Sequence, residues 1–297
     1  MTEIEVVVVG AGPAGVAAAI QLVRHGIEVA LFEADAVGGL ARNAQCLENL
    51  PGFPHGISGA AFCDRLERQL AAAGVEPVRE EVTSVSYREG FVLRTEAGSL
   101  GARRVIVAAG TEPLPLPAVD RTNEVDRRLV HEARQLRGLH GARVAIIGAG
   151  DAAFDSALGL AEGNEVVILG RSLSPRCLPL LWERSRASAG VRFEPEAIVR
   201  RIAAFGDTLA VEYERRSGPA TLRVDHVLVA VGRRPRLGFL DAQLRRRRDA
   251  LRSAGRLYLV GDVANGRFRQ VAIAVGDGVR AAMEIAGSSV EEATCAS

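Results

Sequence analysis

The chain has 297 residues, enough for two domains with cores of their own. Its net charge of +1 argues against a general attraction to nucleic acid or acidic membranes. All 37 basic residues are arginine, so Schiff-base chemistry and a lysine-dependent phosphate loop are excluded. With only 4% aromatic residues in a chain that is 48% apolar, the cores must be built from Ala, Val, Leu and Ile.

The first residues enter a valine run at once, with no basic segment ahead of an apolar core and a cleavage site, so no signal peptide is expected. No apolar stretch approaches the span of a bilayer. Cys46, Cys63, Cys177 and Cys295 are far apart and form no C-x-x-C, which predicts reduced thiols in a cytoplasmic protein. His25, His55, His140 and His226 are scattered and suggest no metal site.

Glu5 to Val9 reads as a buried strand, followed by Gly10-Ala11-Gly12-Pro13-Ala14-Gly15, an alanine-rich helix to about Arg24, and a second strand from Glu28 to Phe32. In this pattern Gly10 permits the tight turn and Gly12 lets backbone approach a pyrophosphate, while Gly15 lets helix and strand pack closely. The helix start supplies unpaired N–H groups and partial positive charge for that pyrophosphate. Glu33 follows at roughly 20 residues, where a carboxylate would hold a ribose hydroxyl pair.

A second copy begins past the midpoint. Arg143 to Ile147 is a strand, Gly148-Ala149-Gly150-Asp151-Ala152-Ala153 the turn, then comes a helix to about Glu162 and a strand from Glu165 to Leu169. Ala153 in place of a third glycine is an accepted variant. This strand ends in Gly170-Arg171-Ser172, with Arg176 nearby and no acid, which favours the 2′-phosphate of NADPH over NADH. The alternative for Arg171 is a solvated strand-end charge.

Each copy closes with a similar strand, Val105 to Gly110 and Val227 to Gly232, and each leads into proline: Pro113, Pro115 and Pro117, then Pro235. A further strand, Arg256 to Val260, meets Gly261-Asp262-Val263, and Arg269-Gln270-Val271 opens the last helix. An Asp in that setting can hold a flavin's ribityl chain and pyrimidine edge. The first domain therefore resumes after the second. The expected fold is α/β, with two Rossmann-like, three-layer dinucleotide-binding domains, the second inserted in the first. Residues 1–117 and 236–297 would bind FAD, and residues 118–235 NAD(P)H.

These pieces, together with Gly38-Gly39, Glu48-Asn49-Leu50-Pro51-Gly52, Ala109-Gly110 and Gly232, resemble the two-dinucleotide-fold flavoproteins along nearly the whole chain, most closely the low-molecular-weight thioredoxin reductases. The resemblance implies FAD contacts from Gly10, Gly12, Gly15, Glu33, Gly39, Asn49, the backbone of Val82, Gly110, Asp262 and Gln270. It implies NADPH contacts from Gly150, Asp151, Ala152, Arg171 and Arg176, and a homodimer.

One departure stands out. Where those reductases carry their redox C-x-x-C ahead of the second glycine turn, this chain reads His131-Glu132-Ala133-Arg134. A dithiol relay cannot run from that position. The branch lacking the pair includes the thioredoxin reductase-like ferredoxin–NADP reductases, but these carry an extra C-terminal segment, and here little follows the last helix except Gly287 to Ser297.

Cys46 is a candidate thiol beside the flavin or a small buried residue; His131 is a candidate proton donor or a solvated surface histidine. Cys63 reads as core, Cys295 as part of a disordered end. Arg245-Arg246-Arg247-Arg248 could dock an acidic protein electron carrier or be a solvated face. The expected activity is transfer of hydride from NADPH to FAD and of electrons onward, to ferredoxin or flavodoxin or to a small molecule. The alternatives are a non-catalytic flavin or nucleotide sensor and a disulfide reductase using Cys46.

Overall fold

The computed structural model describes residues 3–116 and 122–295, with the side chains of 289–295 left out. The chain folds into two compact units. One comprises the residues up to Arg42, Leu47–Glu112 and everything from Arg234 on; the other comprises Asn43–Cys46 and Pro113–Arg233. The expected crossing at 117/118 lies outside the described residues.

The first unit begins with β1 (Glu3–Val9), α1 (Pro13–Arg24), β2 (Val29–Phe32) and α2 (Gly59–Ala72). A meander follows, β3 (Ser84–Tyr87), β4 (Phe91–Arg94) and β5 (Ser99–Val107), then the short β6 (Thr111–Pro113). The second unit holds α3 (Asn123–Arg128), β7 (Leu129–Val130), β8 (Arg143–Ile147), α4 (Asp151–Leu160), β9 (Glu165–Leu169), α5 (Pro179–Ala187) and β10 (Val191–Glu194). It continues with β11 (Ile198–Phe205), β12 (Thr208–Arg215), β13 (Gly218–Val224) and β14 (His226–Val229), and β15 (Arg233–Pro235) spans the crossing back. The chain then returns to the first unit as α6 (Ala242–Ser253), β16 (Leu257–Leu259) and α7 (Val271–Cys295).

In the first unit the sheet order is β2-β1-β5-β4-β3, and β16 also pairs with β5. β1, β2, β5 and β16 run parallel. The valine run of β1 is explained by burial on both faces. Val6 and Val8 join a cluster with Ala18, Ala19 and Leu22 of α1, Leu66 of α2 and Ile285 of α7, while Val7 and Val9 join one with Phe91, Leu93, Leu244 and Leu251. The small residues of α1 let it lie close to α7.

The second unit repeats the scheme with the order β10-β9-β8-β14-β7, all parallel. Val144 and Ile146 of β8 pack with Phe154, which meets the rings of Trp182 and Phe193 at centroid distances of 5.8 Å. Ala145 and Ile147 face Ile202, Leu209 and Val211 of an antiparallel sheet, β11-β12-β13. Sequence reading passed over that sheet and the β3–β4 hairpin because neither carries a glycine signature. Among the described residues, no helix is long and apolar enough to cross a membrane.

The C-terminal end differs from expectation. Gly287 to Ser297 was read as a short polar tail, yet α7 runs on through Cys295. The acidic and small residues of this stretch, Ser288 to Thr294, include no proline to stop a helix.

Two glycines on α7 test the packing described here. A methyl group at Gly278 would lie 2.1 Å from the Ala14 carbonyl oxygen of α1, whereas one at Gly276 would meet nothing within 4 Å. Gly276→Ala is therefore expected to stabilise by about 0.5–1 kcal/mol through backbone entropy, and Gly278→Ala to destabilise by about 1–3 kcal/mol through overpacking. Urea midpoints of the two variants check this; equal shifts would show that α1 and α7 do not approach so closely.

Candidate functional site

Each unit presents a glycine turn at the carboxyl edge of its parallel sheet, and the two turns are built alike. The Gly10 N–H donates to the Phe32 carbonyl (2.8 Å), and the Gly148 N–H to that of Leu169 (3.0 Å). Both glycines have left-handed φ, +102° and +127°. A Cβ would lie 2.6 Å from the Ala108 oxygen in the first and 2.2 Å from the Ala230 oxygen in the second. The small residues closing each domain, Ala108-Ala109-Gly110 and Ala230-Val231-Gly232, thus run directly behind the turns.

Gly12 and Gly150 are the opposite case, since a Cβ there would touch nothing within 4 Å. Each is the N-cap of its helix, α1 or α4, and neither helix has a side-chain cap. Pro13 occupies the first helical position of α1 without sacrificing a needed donor. Open space before uncapped first-turn N–H groups fits a pyrophosphate in both units. Gly15 fulfils its packing role, with a Cβ only 1.8 Å from the Gly10 oxygen, whereas Ala153 is simply buried against the core.

Glu33 lies at the end of β2. Its Oε2 accepts the Ala11 N–H at 2.7 Å and its Oε1 that of Asp35 at 2.9 Å, so the carboxylate is anchored to the turn it serves. Each oxygen keeps acceptor capacity for a hydroxyl. Gly38 donates to the Ala11 carbonyl, and a Cβ on it would strike the Cys63 sulfur at 2.1 Å; the Gly39 position faces Gly12 at 3.5 Å. Cys63 is fully buried, the core residue its sequence context suggested.

Asn49 and Gln270, 221 residues apart in the chain, are joined by a 2.7 Å bond from Asn49 Nδ2 to Gln270 Oε1. Val82 is buried. A turn of 3₁₀ helix, Gly261–Val263, presents Asp262, and Arg269-Gln270 immediately precede α7, which opens at Val271.

In the second unit Arg171 and Arg176 are exposed, and neither side chain makes an ion pair or hydrogen bond among the described residues. Residues 176–178 are stapled to the glycine turn: the Arg176 N–H donates to the Ala149 carbonyl (2.7 Å), and the Leu178 N–H to Asp151 Oδ1 (2.8 Å). Sequence reading missed this role of Asp151, for which motif spacing holds no signal. Burial first, and then the Asp151 carboxylate, push the Cys177 thiol up, which makes it a poor nucleophile at neutral pH.

The window 131–134 is a structural turn. The Glu132 N–H donates to Gln135 Oε1, and Arg134 Nε meets Glu132 Oε2 at 2.6 Å. Asn43 accepts the Arg134 N–H and donates to Glu132. His131 is half-buried at the bend before that turn, not a solvated residue on a helix. Cys46, Cys63 and Cys177 are free thiols. Among the described residues, no three His, Cys, Asp or Glu side chains gather to hold a metal ion.

The sequence profile of the pyridine nucleotide-disulphide oxidoreductases matches residues 4–278. The bifunctional thioredoxin reductase/thioredoxin of Mycobacterium leprae is 30% identical, over 98% of this chain and 68% of that protein. The thioredoxin reductase of Treponema pallidum is 28% identical over 95% of each. Among solved structures, Lactococcus lactis thioredoxin reductase in its FR conformation superposes with a TM-score of 0.85 at 25% identity, covering 97% of this chain and 99% of that one. The T. acidophilum thioredoxin reductase gives 0.84 at 26%, covering 98% and 100%. With two uncapped glycine turns fit for dinucleotides and these relatives, the chain belongs to the pyridine nucleotide-disulphide oxidoreductase family as a thioredoxin reductase-like, NAD(P)H-dependent flavoprotein whose cofactors are FAD and NADPH.

Proposed function

We propose that the first unit holds FAD and the second NADPH, and that electrons leave the flavin directly for an acceptor, without a protein dithiol. The observation that carries this reading is the window His131-Glu132-Ala133-Arg134, a thiol-free turn fastened by Glu132, Gln135 and Asn43. When bound, FAD supplies the redox chemistry, accepting hydride from NADPH and passing electrons onward.

The chain's own residues bind and orient. Gly10, Gly12, Pro13, Ala14 and Gly15 would cradle the FAD pyrophosphate and Glu33 its ribose. Gly38, Gly39, Asn49, Val82, Ala109, Gly110, Gly261, Asp262, Arg269, Gln270 and Val271 would line the rest. Gly148, Gly150, Asp151, Ala152, Ala153 and Gly232 would hold the coenzyme, with Arg171 and Arg176 on its 2′-phosphate. That neither guanidinium is paired among the described residues favours that assignment.

The acceptor is either a protein electron carrier such as ferredoxin or flavodoxin, or a small molecule. An acidic carrier is favoured by α6, where Arg245 and Arg246 stand exposed with no ion pair among the described residues, while Arg247 lies over the Tyr87 ring and Arg248 reaches Asp249. A homodimer acting in the cytoplasm belongs to the same reading. A non-catalytic sensor would bind both cofactors without rapid reduction, so fast bleaching of the yellow protein by NADPH separates the two.

Glu33→Ala is expected to loosen FAD about ten-fold or more, the equivalent of a lost charge-assisted hydrogen bond. The flavin-to-protein absorbance ratio after gel filtration reads it, and a wild type that is colourless and cannot be reconstituted would end the flavin assignment. Arg171→Ala should raise KM for NADPH roughly ten-fold or more and leave NADH nearly unchanged. Equal loss with both coenzymes would assign Arg171 to the fold.

Anaerobic titration tests the missing dithiol. A flavin alone takes up one equivalent of NADPH, and a flavin with a disulfide takes up two. One equivalent is expected, with dye-coupled NADPH oxidation preserved when all four cysteines are replaced. A second equivalent, lost in Cys46→Ser, would instead make Cys46 a redox centre.

A further inference from the structure

We infer that Asp277 of α7 is a positioning residue for the flavin, acting through the turn that carries Asp262; this rests on the proposed placement of Asp262 against FAD. One oxygen of its carboxylate, Oδ2, accepts the Gly261 N–H at 3.1 Å and Asn265 Nδ2 at 2.5 Å. Gly261 and Asn265 bracket Asp262, so a single oxygen grips the turn at both ends. The other oxygen, Oδ1, meets Arg280 one helical turn later on α7 at 3.0 Å. The carboxylate is 13% exposed, shielded enough for these charge-assisted bonds to hold their geometry.

The turn has little other freedom. Gly261 is in the left-handed region (φ +72°), and a Cβ there would lie 2.9 Å from that of Ala14 and 3.4 Å from that of Ala274. On the next residue of α7, Gly278 lies where a Cβ would be 2.1 Å from the Ala14 oxygen. Asp277 and Gly278 thus bind one stretch of helix to the Gly261–Asn265 turn and to the first turn of α1 together. Those are the two segments proposed to meet neighbouring parts of the same cofactor, its pyrophosphate and its ribityl chain. Behind Asp277 lies a polar cavity of about 520 Å³, lined also by Asn265, Arg280, Tyr258 and Glu284. Water is therefore available on the far side of the carboxylate, to compete for the Gly261 N–H when the carboxylate is removed.

The test is FAD release from holoprotein, followed by the rise in flavin fluorescence on dilution, for Asp277→Ala, Asp262→Ala and the double variant. Asp277→Ala is expected to accelerate release about ten-fold or more, and the double variant to be no faster than Asp262→Ala alone. A general loosening of the fold would multiply the two effects instead. Asp277→Asn keeps an acceptor oxygen for Gly261 and should restore most of the slow release; it also stands in if the alanine variant fails to fold. Release from Asp277→Ala and Asp277→Asn at the wild-type rate, with Asp262→Ala accelerated, overturns the inference alone, as do multiplying effects in the double variant. An unaffected Asp262→Ala overturns the placement of Asp262 and the inference with it.

Discussion

The constraint on which both units depend is the passage of one backbone against another at the carboxyl edge of a parallel sheet. Gly10 and Gly148 have their Cα atoms turned toward the carbonyls of Ala108 and Ala230, at a separation that leaves no room for any side chain. Because the strand behind comes that close, the turn in front is tight, and the helix after it starts directly at the strand end. Its first N–H groups are left uncapped there. Phosphate affinity is in this sense a by-product of a packing requirement: a turn too tight for a side-chain cap leaves its donors for a ligand.

The same requirement explains which residues surround the turns. A helix that begins so near its strand must be thin on its inner face, and α1 accordingly buries Ala14, Gly15, Ala18 and Ala19. α7 matches it with Ala274, Gly278, Ala281 and Ala282. The sparsity of aromatic residues follows from such close contacts. Where the second unit relaxes the third glycine to Ala153, larger groups enter, and Phe154, Trp182 and Phe193 fill the space.

Much of this was legible in the sequence because glycine reports backbone geometry directly. The turns at Gly10 and Gly148, the strands before them and Glu33 after the first could be read from spacing alone, since each position demands a residue type. The three-stranded sheet β11-β12-β13 could not, because its strands alternate Ile202, Leu209 and Val211 with paired charges such as Arg200–Glu214, and its turn glycines, Gly206 and Gly218, stand singly and form no nucleotide-binding pattern. The length of α7 was missed for a related reason. Its last turns bear no cap or breaker to mark an end, and a Ser- and Glu-rich stretch reads as a tail when only periodicity is consulted. Pairings across 16 or more residues, such as Asp277 with Gly261 and Asp151 with Leu178, have no local pattern and became visible only in three dimensions.

The remaining question is where electrons go in a protein that keeps the frame of a thioredoxin reductase-like enzyme without its paired cysteines. The turn at 131–136 is not a degraded site. The hydrogen bonds that join Asn43, Glu132, Arg134 and Gln135 give it a defined structure that needs no sulfur. Of the free thiols described, Cys63 is sealed behind Gly38, and burial and then Asp151 push the Cys177 thiol up. Cys46 is half-exposed, without a second cysteine bonded to it among the described residues, and one thiol cannot store two electrons as a disulfide within the chain. In the proposed function, electron storage falls to the flavin. The identity of the acceptor then depends on what surface the protein offers to it, and in the proposed function an acidic carrier meets Arg245 and Arg246 at the start of α6, exposed and with no ion pair among the described residues.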